Sequence, residues 1–84
     1  KTEGHIQHFT ISLAINVSFL SKKRFIDMLD KIPEYSVVVI DGTKSDYIDR
    51  DVLEIFQEFK SKAHQKHIEL ILIKVPDVEI IELH

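Results

Sequence analysis

Four consecutive β-branched residues, Val37-Val38-Val39-Ile40, restrict this chain more than any other feature. A short run with no polar side reads as a strand covered on both faces. The stretches before and after it have helical period. A strand between two helices returns to its sheet through right-handed crossovers, so its neighbours are predicted to be parallel.

The first flanking helix opens near Ser21, a residue suited to an N-cap. Phe25, Met28, Leu29 and Ile32 follow at helical spacing with Ile26 on the flank. Pro33 ends it, because proline cannot donate a backbone hydrogen bond and disfavours helical geometry at Ile32. Its first turn holds Lys22, Lys23 and Arg24, the wrong sign for the helix dipole. The second helix opens at Asp49, with Ile48 and Leu53 spaced as a hydrophobic staple. Val52, Phe56, Phe59 and Ala63 form its apolar stripe, and carboxylates at its start and lysines at its end suit the dipole.

Two more strands are predicted. Phe9, Ile11, Leu13, Ile15, Val17 and Phe19 alternate with small or polar residues, which reads as one half-buried strand or two bent near Asn16. Ile68 to Val75 is rich in Ile, Leu and Val and stops at Pro76. Val78 to Leu83 is too short to type as helix or strand. The order β-α-β-α-β predicts one α/β domain over residues 1–84, a mostly parallel or mixed sheet of about four strands packed with helices, with the strands at 37–41 and 68–74 both central.

A chain of 84 residues has room for one modest core. Without cysteine it has neither disulfides nor a zinc-thiolate centre. The net charge of −3 gives no bulk attraction to nucleic acid. No apolar run approaches the about 18 residues of a membrane span. The only methionine is Met28, inside a predicted helix, and the chain is expected to be a piece excised from a longer protein.

Ligands of open α/β sheets favour the carboxyl ends of the strands, here the loop from Asp41 to Asp49. It has a single glycine and no phosphate-binding fingerprint, and Asp49 and Asp51 would repel a phosphate at the helix start. Asp41 stands where a phosphoacceptor would, but the chain lacks the acidic pair such chemistry needs, so it reads as a turn residue. His64 and His67, three apart on the second helix, lack a carboxylate or thiolate at matching spacing and are a weak metal signal. No catalytic constellation is evident, so the chain is expected not to be an enzyme and to use no cofactor.

The run Val37-Val38-Val39-Ile40-Asp41-Gly42-Thr43-Lys44-Ser45-Asp46-Tyr47-Ile48-Asp49 resembles the signature of STAS domains, named for sulfate transporters and anti-sigma factor antagonists. Val17-Ser18-Phe19-Leu20-Ser21 is similar to the strand-to-helix joint in the C-terminal domain of SulP-family anion transporters. Asp51-Val52-Leu53-Glu54 and Ile68-Glu69-Leu70 continue the likeness, which covers roughly residues 9 to 75. Antagonists carry Asp-Ser-Ser-Gly-Leu at this helix start and are phosphorylated on the second serine. Here the run is Asp49-Arg50-Asp51-Val52-Leu53, and Asp51 stands at the phosphoserine position, so the kinase switch does not carry over.

The resemblance implies a STAS-like fold and the cytoplasmic regulatory domain of a SulP-type transporter of sulfate, bicarbonate or another inorganic anion, on the cytoplasmic side of the inner membrane. Its implied partners are the membrane portion of its own transporter, a second copy or a cytosolic regulatory protein, and no nucleic acid. The alternative is a stand-alone anti-sigma factor antagonist or stressosome-type protein; a third class is a small enzyme or nucleotide-binding module. The expected interaction surface is Lys44, Asp46, Tyr47, Asp49, Arg50 and Asp51, with Tyr47 as the aromatic anchor.

Overall fold

The structure, a computed structural model, describes residues 6–76. The order is β1 (His8–Ser12), β2 (Asn16–Val17), a 3-10 turn (Phe19–Ser21), α1 (Lys22–Asp30), β3 (Val37–Asp41), β4 (Tyr47–Ile48), α2 (Arg50–Gln65) and β5 (Glu69–Ile73). The untyped stretch Val78 to Leu83 lies outside the described residues.

The fold is α/β. Strands β1, β3 and β5 form a parallel sheet in the order β1-β3-β5, and β2 pairs with β4, also in parallel, as a separate two-stranded sheet. The predicted single sheet of about four strands is thus, among the described residues, three strands plus a short pair. β3 is central as expected. β5 is adjacent and parallel to it but forms an edge of the described sheet, which corrects the expectation that both would be central.

Register explains which face is dry. Phe9, Val38 and Leu70 lie side by side, as do Ile11, Ile40 and Leu72. This face packs into the core: Val38 and Ile40 are fully buried. The core is completed by Phe25, Leu29 and Ile32 at and beyond α1, and by Val52, Phe56, Phe59 and Ala63 of α2. Phe25 and Phe56 meet edge to face, with ring centroids 5.3 Å apart and planes at 84°, a favoured aromatic geometry. The opposite face carries Thr10, Val39 and Ile71 in one row; Val39 is half-buried, and Thr10 and Ile71 are exposed. The expectation that β3 would be covered on both faces therefore fails among the described residues: an unbroken apolar run does not reveal which of its two faces receives the helices.

The alternating segment breaks into two strands. Leu13 and Val17 are buried, but Ile15 and Phe19 are 63% and 57% exposed. After Leu13 N–H reaches the Asp41 carbonyl at 2.9 Å, the chain leaves β3 and pairs instead with the loop beyond it. The second half of the alternation thus follows a different partner and loses the common dry face.

Ser21 does not cap α1 with its side chain. The Ser18 hydroxyl accepts from Leu20 N–H at 3.3 Å, so a 3-10 turn precedes the helix and the cap lies three residues earlier than expected. α2 begins as predicted, with the Asp49 carboxylate accepting from Asp51 N–H at 2.8 Å. Ile48 packs against the core to which Leu53 belongs. The end of α2 is a Schellman closure: Ile68 N–H reaches the Ala63 carbonyl at 2.8 Å, His67 N–H reaches His64 at 3.3 Å, and His67 takes φ 58°.

Candidate functional site

The connection from β3 to α2 is held on three sides. At its start, Asp41 accepts from the Thr43 N–H at 2.9 Å and from the Thr43 hydroxyl. The Thr43 hydroxyl, then its amide, hold the Asp41 carboxyl below the ordinary value of 3.8, because both bonds favour the charged form. Asp41 is therefore a turn-holding residue, as its sequence context implied. Next, Gly42 N–H donates to the Ile73 carbonyl at 2.8 Å, tying the loop to the end of β5. An added Cβ at Gly42 would stand 2.8 Å from the Lys74 carbonyl oxygen, so glycine is required by close approach of two backbones.

The third tie runs to β2. Asp46 N–H and Tyr47 N–H both donate to the Ile15 carbonyl, at 2.8 and 3.2 Å, and Asp49 N–H donates to Val17 at 2.8 Å. The Ser45 hydroxyl donates to the Ala14 carbonyl. A loop with one glycine thereby becomes a fixed ledge carrying β4 directly into α2.

All six residues expected to form the interaction surface fall on this ledge and the first turn of α2. Lys44, Asp46, Tyr47, Arg50 and Asp51 are exposed and Asp49 is half-buried. Asp49 works in two directions: one carboxylate oxygen caps α2 and the other accepts from the Tyr47 hydroxyl at 3.3 Å. Partial desolvation, and then the negative charge of Asp49, push the Tyr47 phenol above its ordinary value, so it stays protonated and donating. Tyr47 remains 52% exposed, an amphipathic aromatic tied at its hydroxyl.

Asp51 is exposed in the first turn of α2, and Lys22 reaches its carboxylate at 3.4 Å. This contact joins the starts of both helices and gives the cationic first turn of α1 part of its compensation. Lys23 finds Asp27 at 3.0 Å one turn on. Arg50 pairs with Glu54 at 3.3 Å along the helix.

Sequence reading missed the exposed apolar residues of the segment that neighbours the ledge. Ile15, Phe19 and Leu20 are exposed, Leu20 at 79%. The pairings of Asn16 with Tyr47 and Val17 with Ile48 set their segment alongside the ledge. The available signal was Ser18, whose capping of a turn takes Phe19 out of the strand alternation.

His64 and His67 do not share a helical face: α2 ends at Gln65 and His67 is the left-handed residue beyond it. Among the described residues no group of three or more His, Asp or Glu side chains is placed to hold a metal ion, and no helix is long and apolar enough to cross a membrane. No protein-family model matches the chain, and no curated protein or solved structure matches it either.

Proposed function

We propose that this chain is a STAS-like regulatory domain of a SulP-type anion transporter, working by protein–protein contact at the ledge and the start of α2. The carrying observation is that Tyr47 and Asp51 stand exposed on a backbone fixed to β2, with Ile15, Phe19 and Leu20 exposed on the neighbouring segment. An aromatic anchor, nearby apolar side chains and a charged rim on a rigid support are what a docking surface needs. Its partner in this reading is the membrane portion of the same transporter, on the cytoplasmic side of the membrane. The domain holds position rather than doing chemistry, and Asp51 makes the contact constitutive where a serine would make it switchable.

The test is anion uptake by the full-length protein at matched expression. Tyr47→Ala and Asp51→Lys should each lower uptake, and Asp51→Ser should lower it less, since serine suits the first turn of a helix. Uptake at the unmodified level in all three would make the ledge a structural cap only. The full reading frame supplies a second check: about ten or more apolar spans upstream fit this reading, and a short frame without them fits the antagonist alternative.

A further inference from the structure

Strand β1 has β3 on one side and, among the described residues, no strand on the other. The Gln7 carbonyl accepts from Val37 N–H and the Leu13 N–H donates to Asp41, both at 2.9 Å, so the odd-numbered residues turn their peptide groups toward β3. Period two then turns the N–H and C=O groups of His8, Thr10 and Ser12 to the outer edge. Such an edge is a template for one more strand.

Beside this edge runs a groove of about 730 Å³ between β1 and α1. Its floor is apolar, with Phe9 and Ile11 from the strand and Met28 and Ile32 from the helix side. Thr10 lines it as well, although its side chain shares the other face of the sheet with Val39. The rim is cationic: Lys23, Arg24 and Lys31 stand against one carboxylate, Asp27, which Lys23 already holds at 3.0 Å.

Spacing narrows the occupant further. Lys23 and Lys31 are eight residues apart, about 12 Å along a helix. Residues i and i+4 of an extended chain share one face and lie about 13 Å apart.

The geometry points to strand addition: the β1 edge and the α1 groove accept an extended segment of a protein partner, with an apolar residue between two acidic ones at i, i+2 and i+4. The segment's main chain meets the free peptide groups around Thr10, its apolar side chain lies over Met28 and Ile32, and its carboxylates reach Arg24 and the lysines. A fatty-acid carboxylate would use the floor and one cation but leave the strand edge unpaired, so the peptide fits more of the groove. This surface is separate from the ledge at the start of α2 and does not depend on what that ledge binds.

The probe is a blocked peptide, Ser-Thr-Glu-Thr-Ile-Thr-Glu-Thr-Ser, titrated into the isotope-labelled whole chain and followed by backbone amide NMR. Saturable shifts are expected at residues 8–12 and along 23–32. Arg24→Glu combined with Lys31→Glu should weaken binding about tenfold or more, while the melting temperature stays near that of the parent because both side chains are exposed. Methylating alternate backbone nitrogens of the peptide should abolish binding in one of the two phases, a result that simple charge attraction would not produce. The proposal is overturned if no saturable shifts appear, if a lysine-for-glutamate peptide binds equally well, or if both methylated phases bind unchanged. It is also overturned if sodium laurate produces the same shifts more tightly than any peptide, which would make the groove an amphiphile site.

Discussion

The rings of Tyr35 and His67 stack face to face, with centroids 5.0 Å apart and planes at 6°. Both residues have left-handed backbones, φ 66° and 58°, and neither is glycine. They sit at the two chain reversals that lead into β3 and β5. Tyr35 N–H donates to the Lys66 carbonyl at 3.2 Å, and the Lys66 ammonium returns to the Ile32 carbonyl at 2.8 Å. The exit of each helix is thus pinned to the exit of the other, and Glu69 N–H to Ser36 at 2.9 Å starts the β3–β5 ladder immediately beyond.

That arrangement predicts an order of stabilities. His67→Ala keeps the backbone cost of a left-handed residue and loses the stack. His67→Gly loses the stack but removes the cost. Urea denaturation should place the glycine variant about 1 kcal/mol above the alanine variant. Equal stabilities would mean that the helix terminus relaxes out of the left-handed conformation.

Gly42→Ala should destabilise by about 1–3 kcal/mol. The new methyl would face the Lys74 carbonyl, a backbone atom that cannot rotate away. The same measurement on Ser45→Ala, which removes one hydroxyl bond to Ala14 without any clash, should show a loss of about 1 kcal/mol.

Phe56 is 1% exposed and stands against Phe25. Phe56→Ala should cost about 3–5 kcal/mol, a large part of the roughly 5–10 kcal/mol available to a domain of this size. Thermal unfolding should show the variant near its midpoint at physiological temperature. A loss below about 1 kcal/mol would mean that the cavity collapses far more completely than such sites usually do.

Acid should weaken the loop through Asp41. Its folded carboxyl titrates below the ordinary 3.8, so the stabilisation is fully present above that value and is lost as pH falls through the lower folded one. Thr43→Val removes the hydroxyl bond that is the main cause of the shift. The melting temperature of the variant should fall less steeply with acid than that of the parent over this range.

Asp49→Asn separates the two duties of Asp49. The amide oxygen can still cap α2, so stability should change by less than about 1 kcal/mol. The Tyr47 phenol loses a neighbouring charge and should titrate lower, read by ultraviolet absorbance. Asp49→Ala should lose the cap as well, costing about 1 kcal/mol.

Much of this molecule was legible without coordinates because it rests on short-range rules. Asp49 capping α2, the stripe Val52, Phe56, Phe59 and Ala63, and the stop at Pro33 each follow from neighbours within a few residues. The parallel pairing of β3 with β5 follows from the helix between them. The six ledge residues came from resemblance; they lie between the end of β3 and the first turn of α2, five of them exposed and Asp49 half-buried. Ile15, Phe19 and Leu20 were hidden because alternation records only a side chain's parity. It cannot show that Leu13 is the last residue to bond β3 and that Ile15 already bonds the loop beyond.

Local rules were enough for the two helices, for the strands β3 and β5 and for their parallel direction, since propensity, capping and chain connectivity act locally or through handedness; the split of the first strand and the short β2–β4 pair were not among them. Which face of β3 the helices cover, the position of β5 at an edge of the described sheet, and the left-handed backbones of Tyr35 and His67 emerge only on packing. Each of these depends on contacts between residues far apart in the chain: the Phe25–Phe56 packing draws both helices to one face, and the ring stack and its hydrogen bonds support two strained residues that no local rule would have chosen.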